Sequence, residues 1–475
     1  MTDADMLDDL RRATFDYFRH ELNPLNGLIA DKTQPGSPSS IAALGMGLSV
    51  YVVAVERGLL PRADAVNRTV TLLRFLHASP QGPEPDATGY KGFYYHFLDM
   101  HTGRRAWHSE LSTVDTAIFM AGVLTAASYF TGNSDDEREL RDLAFILYRR
   151  IDWQWALNDR TTICHGWKPE CGFLPYRWDT GYSEAVILYV LALGSPTFPA
   201  DPQGYLAWTS TFEWKTVYDI EHVYAGPLFI HQMSHLWLDF RGIHDGVNRK
   251  RGIDYFENSR RATYVQQQYG IDNPLGFSHY HRYGWGLTAS DGPGPAVLTV
   301  NGVRRVFYDY VARAPFGPDD GTISPWAVIT SLPFAPEIVI DTVRHAIERL
   351  GLKGHSPYGF DASFNPTYPD TRRNQHGWVS PWIFGLNQGP IILMIENFQS
   401  ELIWKCIRTC SYIITGLHRA GFCDGWLDEE GPQTGPHRRA PLPRGRSAEG
   451  LHKARSINST PQRLDVHPDA GPSTE

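Results

Sequence analysis

Twice in this chain an aromatic loop carrying an acid runs straight into an apolar stretch of helical length. The first instance is Trp107-His-Ser-Glu-Leu-Ser-Thr-Val-Asp-Thr-Ala-Ile-Phe-Met-Ala-Gly122. The second is Trp178-Asp-Thr-Gly-Tyr-Ser-Glu-Ala-Val-Ile-Leu-Tyr-Val-Leu191. A helix that is apolar on every side must be buried. Such a helix carries the residues at its mouth inward with it. The chain must therefore build an interior of buried helices, with loops at one end that present Glu110, Asp115 and Glu184.

The rest of the sequence is consistent with that frame. Apolar residues recur at steps of three and four, as in Leu7, Leu10, Thr14 and Phe18. This spacing predicts helices starting near Asp3, Ser40, Arg62, Ser112, Asp135 and Ser183, and then near Gly226, Gly246, Ala335 and Gly389. Ser112-x-x-Asp115 reads as a capping box, and Asp135 and Ser183 as N-caps. Long loops rich in Gly, Pro and aromatics lie at 78–107, 158–181, 270–295 and 351–386. Short strands are predicted at Gly92–Phe97 and Val297–Tyr308. Strand–helix–strand alternation is missing, which argues against a parallel sheet. About ten to twelve helices with long loops suit an all-α toroid of two concentric rings, with a loop-built cleft at one end.

Composition narrows the function classes. With 14 Trp, 23 Tyr and 23 Phe the chain has rings to spare beyond its core, and sugar rings stack their C–H faces on such side chains. The net charge of −8, without a dominant basic patch, argues against nucleic acid and anionic membrane as partners. Cys164, Cys171, Cys406, Cys410 and Cys423 are odd in number and imply no disulfide framework, although Cys164 and Cys171 are close enough in sequence to pair. No zinc spacing is present. The acidic start, Met-Thr-Asp-Ala-Asp-Met-Leu-Asp-Asp-Leu, lacks the features of a signal peptide. The expectation is a cytoplasmic protein, or a periplasmic one if a leader is missing. We expect a single folded domain over 1–423. The Pro-, Gly- and Arg-rich remainder, 424–475, is too poor in apolar residues to fold.

Each acid has a purely structural explanation beside the chemical one. Asp115 can simply close a helix N-terminus. Glu110 can be an exposed loop acid. Glu184, before the almost wholly apolar Ala185–Leu193, would be desolvated at a cleft floor, which raises a carboxyl pKa and suits a general acid. The helix dipole explains it equally well. Glu396 lies inside an apolar run, Ile391 to Phe398, and needs either a buried cation or a ligand. His231 and His235 stand four apart on a predicted helix with Asp239 and Arg241 close by. They form a polar wall or two core histidines, with no third metal ligand in view. Asp319-Asp320-Gly321 reads as a turn. The segment from His279 through Trp285 to Asp291 has the aromatic, Gly-hinged character of a substrate loop. No Gly-x-Ser-x-Gly elbow, P-loop or Rossmann fingerprint occurs.

Taken together, these pieces resemble the glucoamylase-like domain family, which includes endo-β-1,2-glucanases of glycoside hydrolase family 144. They are also similar to the glucanotransferase domain of cyclic β-1,2-glucan synthases. The resemblance is carried by Phe15-Asp-Tyr-Phe18, Asn23-Pro-x-Asn-Gly-Leu28 with Asp31, Gly92-Phe-Tyr-Tyr-His-Phe-Leu-Asp99 and Leu111-Ser-Thr-Val-Asp-Thr-Ala117. It continues through Gly181-Tyr-Ser-Glu-Ala185, Ala192-Leu-Gly-Ser-Pro196, Pro227-Leu-Phe-x-His-Gln-x-Ser-His235 and Asp239-Phe-Arg-Gly242. Trp285-Gly-Leu-Thr-Ala-Ser-Asp-Gly292, Asp320-Gly-Thr322, Ser331-Leu-Pro-Phe-Ala-Pro-Glu337, Gln388-Gly-Pro390 and Met394-Ile-Glu-Asn397 complete it. These pieces follow in order from about residue 8 to 420.

The resemblance implies an (α/α)6 barrel with a β-glucan cleft and places the candidate catalytic acids at Asp115 and Glu184. Some relatives read Asp-x-x-Glu at 112–115. Here Ser112-x-x-Asp115 has one acid fewer and the other a methylene shorter, and Glu110 is the nearby acid that can compensate. The expected reaction is hydrolysis of β-glucan, β-1,2-linked and cleaved within the chain, with Glu184 as general acid and Asp115 on the base side. Carboxyls about 5–5.5 Å apart would retain the anomeric configuration and about 6.5–9.5 Å would invert it. Trp107, Trp178 and Trp285 are the expected stacking platforms. Tyr182, His231, Arg241, Asp291 and Glu396 are the expected hydroxyl contacts. Acid–base hydrolysis needs no metal or organic cofactor, and none is expected. Transglycosylation, or glucan binding without chemistry, are the alternatives.

Overall fold

In the computed structural model, which describes residues 1–353 and 357–429, four helices have hardly a residue facing solvent. The helices follow in chain order as α1 (Asp3–His20), α2 (Ile41–Glu56), α3 (Arg62–Ala78), α4 (Thr113–Tyr129), α5 (Asp135–Arg149), α6 (Val186–Gly194), α7 (Pro202–Thr209), α8 (Gly246–Arg249), α9 (Tyr255–Asp272), α10 (Pro325–Thr330), α11 (Pro336–Glu348), α12 (Gly385–Ser400), α13 (Leu402–Arg408), α14 (Ser411–Arg419) and α15 (Gly425–Glu429). In α2 every residue from Ile41 to Ala54 is buried, and in α6 every residue from Val186 to Gly194. Helix α4 is buried almost as completely, as is α12 from Asn387 to Asn397. These four pack side by side in the order α12–α2–α4–α6. Their sequences are apolar on all faces because neighbours cover all faces.

An outer set is amphipathic instead. Helix α1 buries Leu7, Leu10, Thr14 and Phe18, and α5 buries Leu140, Leu143, Ala144 and Leu147. Helix α1 packs on α12, α3 on α5, and α14 on α6. The inner pair α2 and α4 crosses closely because glycines meet at the crossing. A Cβ on Gly45 would stand 2.3 Å from the Ile118 carbonyl, and one on Gly122 would stand 2.1 Å from the Gly45 carbonyl. Any side chain there would push the two helices apart.

The chain is mostly helical, but its strands amount to more than the isolated pieces expected. Gly89–Tyr90, Phe93–Tyr95, Leu111–Ser112, Gly166–Lys168 and Gly172–Phe173 form one five-stranded sheet in that order, with antiparallel pairing throughout. A hairpin pairs Ala296–Val300 with Val303–Phe307, placing Val297 opposite Val306. The sheet matters to the site because its central strand, Leu111–Ser112, feeds directly into α4.

Several expected elements differ. The stretch after Gly226 is not an α-helix but two 3₁₀ turns, Leu228–His231 and Met233–Leu236. Its polar groups are taken by other segments. The Leu228 amide donates to the Leu287 carbonyl, the Phe229 amide to Thr288, and the Ser234 hydroxyl to the Glu184 carbonyl. Near Gly246 only a four-residue helix forms, and the long helix starts at Tyr255 behind the Asp254 cap. Helix α6 begins three residues after Ser183, and α12 begins four residues before Gly389. Cys164 and Cys171 are unpaired, with Cys164 buried beside Arg177 and Cys171 exposed. The folded body passes the boundary expected at 423, since α15 buries Leu427 and the Trp426 indole donates to the Asp239 carbonyl at 2.9 Å. The rest of the expected disordered tail lies outside the described residues. Among those described, no helix is long and apolar enough to cross a membrane.

Candidate active site

The strand-to-helix junction at Ser112 fixes the first acid. Ser112 caps α4 by accepting from the Asp115 amide at 3.2 Å, and its hydroxyl donates to Asp115 Oδ2 at 2.6 Å. The cap and the chemical reading of this motif are therefore compatible, because the same serine that starts the helix orients the carboxyl. Glu110, one residue before the strand, points to the same place from the sheet. Between the two lies His96, whose Nδ1 is 2.9 Å from Glu110 Oε1 and whose Nε2 is 3.7 Å from Asp115 Oδ2. Its ring stacks on Phe97 at 4.0 Å.

The second motif supplies the facing acid. Glu184 occupies the turn before α6 rather than its first helical turn. Ser234 holds that turn, accepting from the Ile187 amide at 3.2 Å and donating to the Glu184 carbonyl at 2.9 Å. The two motifs are joined through Thr113, which accepts from the Trp178 indole at 3.1 Å. Glu110, Asp115, Glu184 and Asp291 all line one cavity of about 640 Å³, with Trp107 and Trp178 among its walls.

Enclosure sets the charges. Burial pushes the Glu184 carboxyl up to about 7, and the nearby Asp115 adds to the rise. Burial likewise lifts Asp31, which faces the same cavity, to about 6. Burial also raises Asp291, with Asp309 acting in the same sense, while a hydrogen bond from Ser380 opposes it. For His96 burial works against the charge. Asp115, Glu110 and Asp31 outweigh it and raise the imidazole from 6.5 to about 9. Glu110 feels the same contest. Burial would raise it, but the hydrogen bond and charge of His96 hold it below its ordinary value. Glu110 and His96 are thus an ion pair set beside Asp115. Tyr310, though 58% exposed overall, joins the cavity lining, where the surrounding protein and the charges of Asp31, Asp291 and Asp115 raise its hydroxyl above its ordinary value.

The folded His96 pKa lies above the unfolded value. Its contribution to stability is therefore complete below about pH 6.5 and is lost as pH rises through about 9. A His96→Asn variant should show a flatter unfolding free energy over that window than the parent. NMR titration of the parent should place the His96 midpoint near 9, and a midpoint near 6.5 would refute the assignment.

Five expected substrate contacts lie elsewhere. Trp285 is 2% exposed and donates to Thr342 at 3.1 Å, packed in a second apolar cluster with Trp326 and Leu332. Tyr182 stacks on Tyr255 at 5.6 Å and 6°, with the His231 ring 5.3 Å away. His231 itself is buried, its Nε2 at 3.0 Å from the Ala225 carbonyl, and burial pushes its pKa down to about 3. Arg241 is forked onto Asp239, bridged to Glu401 and laid over Trp404. Glu396 is fully buried against Arg57 and Arg11, which is the structural explanation allowed for it in the sequence. Trp178 does line the cavity, but the His165 ring covers one face at 3.9 Å. Trp107, 60% exposed, is the open aromatic surface.

Asp31, His96, Lys32 and Tyr310 also line the cavity, and no motif in the sequence assigns them a chemical role. Asp31 and His96 stood within the segments that carry the resemblance, and that was their only signal. Among the described residues no group of three or more His, Cys, Asp or Glu has a metal-holding arrangement.

Residues 175–411 match the Glycoamylase family model, described as "Putative glucoamylase". The chain is 28% identical over 454 residues to a protein of Parabacteroides distasonis named exo beta-1,2-glucooligosaccharide sophorohydrolase (non-reducing end). That alignment covers 88% of this chain and 58% of the relative, so the chain spans little more than half its length. A crystal structure from Bacteroides uniformis, named as a putative glucoamylase, superposes with a TM-score of 0.78 at 29% identity, covering 89% of this chain and 98% of that one. The endo-beta-1,2-glucanase of Chitinophaga pinensis, solved with sophorotriose and glucose, superposes with a TM-score of 0.77 at 25% identity, covering 89% and 99%. Over residues 175–411 the chain therefore carries a glucoamylase-like family-model domain.

Proposed function

We propose that this protein is a glycoside hydrolase that cleaves β-1,2-linked glucan, and that its inner and outer helices close into an (α/α)6 barrel around the cleft. The observation that carries the reading is Glu184, a carboxyl held near pKa 7 by burial in an aromatic-walled cavity that also holds Asp115. A group poised there is protonated often enough to give a proton at neutral pH and basic enough to take one back. The names of the relatives supply the linkage.

In the proposed reaction Glu184 donates its proton to the glycosidic oxygen as the C1–O bond breaks and the electron pair leaves with that oxygen. Water adds to C1, and its proton passes to the base side. Asp115 is the better base, because Glu110 is already bound to His96 at 2.9 Å. Glu110 and His96 then act by holding Asp115. Ser112 takes the place of an acid without emptying the site, since its hydroxyl donates to Asp115.

Product analysis of the full chain with β-1,2-, β-1,3- and β-1,4-glucans and with starch tests this. Short β-1,2-oligosaccharides alone are the expected result. Products from starch or another linkage would overturn the substrate assignment, and no product from any glucan would overturn the hydrolase.

A further inference from the structure

We propose that the pocket around Trp378 is a distal glucosyl subsite that extends the cleft beyond Asp291. The inference deepens the hydrolase reading and rests on it. The pocket measures about 330 Å³, and Asp370, Arg372, Arg373, Trp378 and Pro381 are among its walls. A half-buried indole offers a flat apolar face to sugar C–H groups. Beside it Asp370 keeps free oxygen lone pairs and Arg372 free N–H groups, and Arg373 adds a further guanidinium, so sugar hydroxyls meet both acceptors and donors.

The charge arrangement favours a neutral polyol over an anion. Arg372 is already forked onto Asp370, with Nε 2.9 Å from Oδ1 and Nη2 2.7 Å from Oδ2. An anion would meet the Asp370 carboxylate and find only Arg373 uncommitted among the described contacts. A sugar can use both groups without displacing either.

Continuity with the cleft comes from the chain itself. Ser380, between two residues that line the pocket, donates to Asp291 Oδ2 at 2.7 Å. Phe384, three residues beyond Pro381, lines the cleft. At roughly 3.3–3.6 Å per residue, that separation is at most about 11 Å. The backbone that carries the indole is held, because Trp378 pairs with Asn365 in a short antiparallel ladder, and Asn365 donates to the Asp320 carbonyl at 3.0 Å. Less backbone ordering is then left to oppose binding.

The test titrates the full chain carrying Glu184→Gln, as a non-cleaving background, with a length series of β-1,2-glucooligosaccharides, alone and with Trp378→Ala or Trp378→Phe added. Affinity should rise with length on the background. With Trp378→Ala the rise should stop short, leaving the longest oligomers on the order of tenfold weaker while the shortest keep their affinity. Trp378→Phe should restore part of the difference. On chains with Glu184 intact, Trp378→Ala should raise KM for long substrates and leave kcat near the parent value. Equal weakening at every length, or no change at any, would overturn the subsite alone. A background chain that binds no β-1,2-glucan, together with a parent that cleaves none, would overturn the hydrolase reading and the subsite with it.

Discussion

Glu184→Gln is expected to lower turnover on β-1,2-glucan by about 10²–10⁴-fold while sugar affinity is kept, the range for loss of one general acid–base group. Gln fills the same space at the turn before α6 and keeps that turn's backbone bonds to Ser234, but it has no proton to give. The pH profile supplies a second readout. In the parent the acid form of Glu184 is depleted as pH rises through about 7, so kcat should fall on that alkaline limb. In the variant the limb should vanish with the activity. Loss of fold would mimic loss of turnover, but the sign of the pKa shift argues against it. The folded pKa of about 7 lies above the ordinary 4.5, so the fold favours the neutral form and disfavours the charge above pH 7. A neutral Gln removes that burden, and the variant should unfold no earlier than the parent at neutral pH. Turnover of the variant within a few-fold of the parent would remove Glu184 from the chemistry and return attention to Asp31, the other acid lifted by burial in the cavity.

Glu184 and Asp115 were legible because local sequence controls them. A capping serine and an all-apolar helix determine where a carboxyl at a helix mouth must go, whatever the rest of the chain does. The inner helices α2, α4 and α6 were readable for the same reason, since only burial on all sides explains such segments. What stayed hidden depends on which segments meet. Trp285 sits in an aromatic, Gly-hinged segment that reads alike whether it borders a cleft or a core, and it turned out to pack with Trp326 in the second apolar cluster. His231 looked like half of a helical pair, but tertiary partners for Leu228, Phe229 and Ser234 hold that stretch in 3₁₀ turns. His96 directly follows the strand Phe93–Tyr95, and its chemistry exists only because Glu110 and Asp115 arrive from the two ends of the paired strand Leu111–Ser112. Tyr310 reaches the acids from the end of a hairpin distant in sequence. No periodicity or spacing encodes such meetings.

Glu396→Ala is expected to destabilise the fold by about 3–5 kcal/mol, the range for removing one partner of a buried ion pair, and to leave sugar recognition unchanged in whatever protein remains folded. The carboxylate is 0% exposed and accepts from Arg57 Nε and Nη2 at 2.8 Å each and from Arg11 at 3.3 Å. The two arginines would fare differently without it. Arg57 is 31% exposed and can turn to water, whereas Arg11 is 4% exposed. Burial already draws the Arg11 guanidinium below its usual value, with Glu396 and Asp8 opposing that pull. Losing Glu396 removes the acceptor of Arg57, Arg11 and Ser400 at once and leaves the buried Arg11 to Asp8 and Gln399, whereas Arg57→Ala leaves Glu396 its bonds from Arg11 and Ser400, so Glu396→Ala should cost more than Arg57→Ala. Adding Arg11→Met to Glu396→Leu should recover part of the loss, because apolar groups of similar volume often replace a buried pair at little cost. Equilibrium denaturant unfolding of the four variants beside the parent checks the order. A Glu396→Ala protein as stable as the parent but weakened in sugar binding would reverse the assignment and make Glu396 a substrate contact after all.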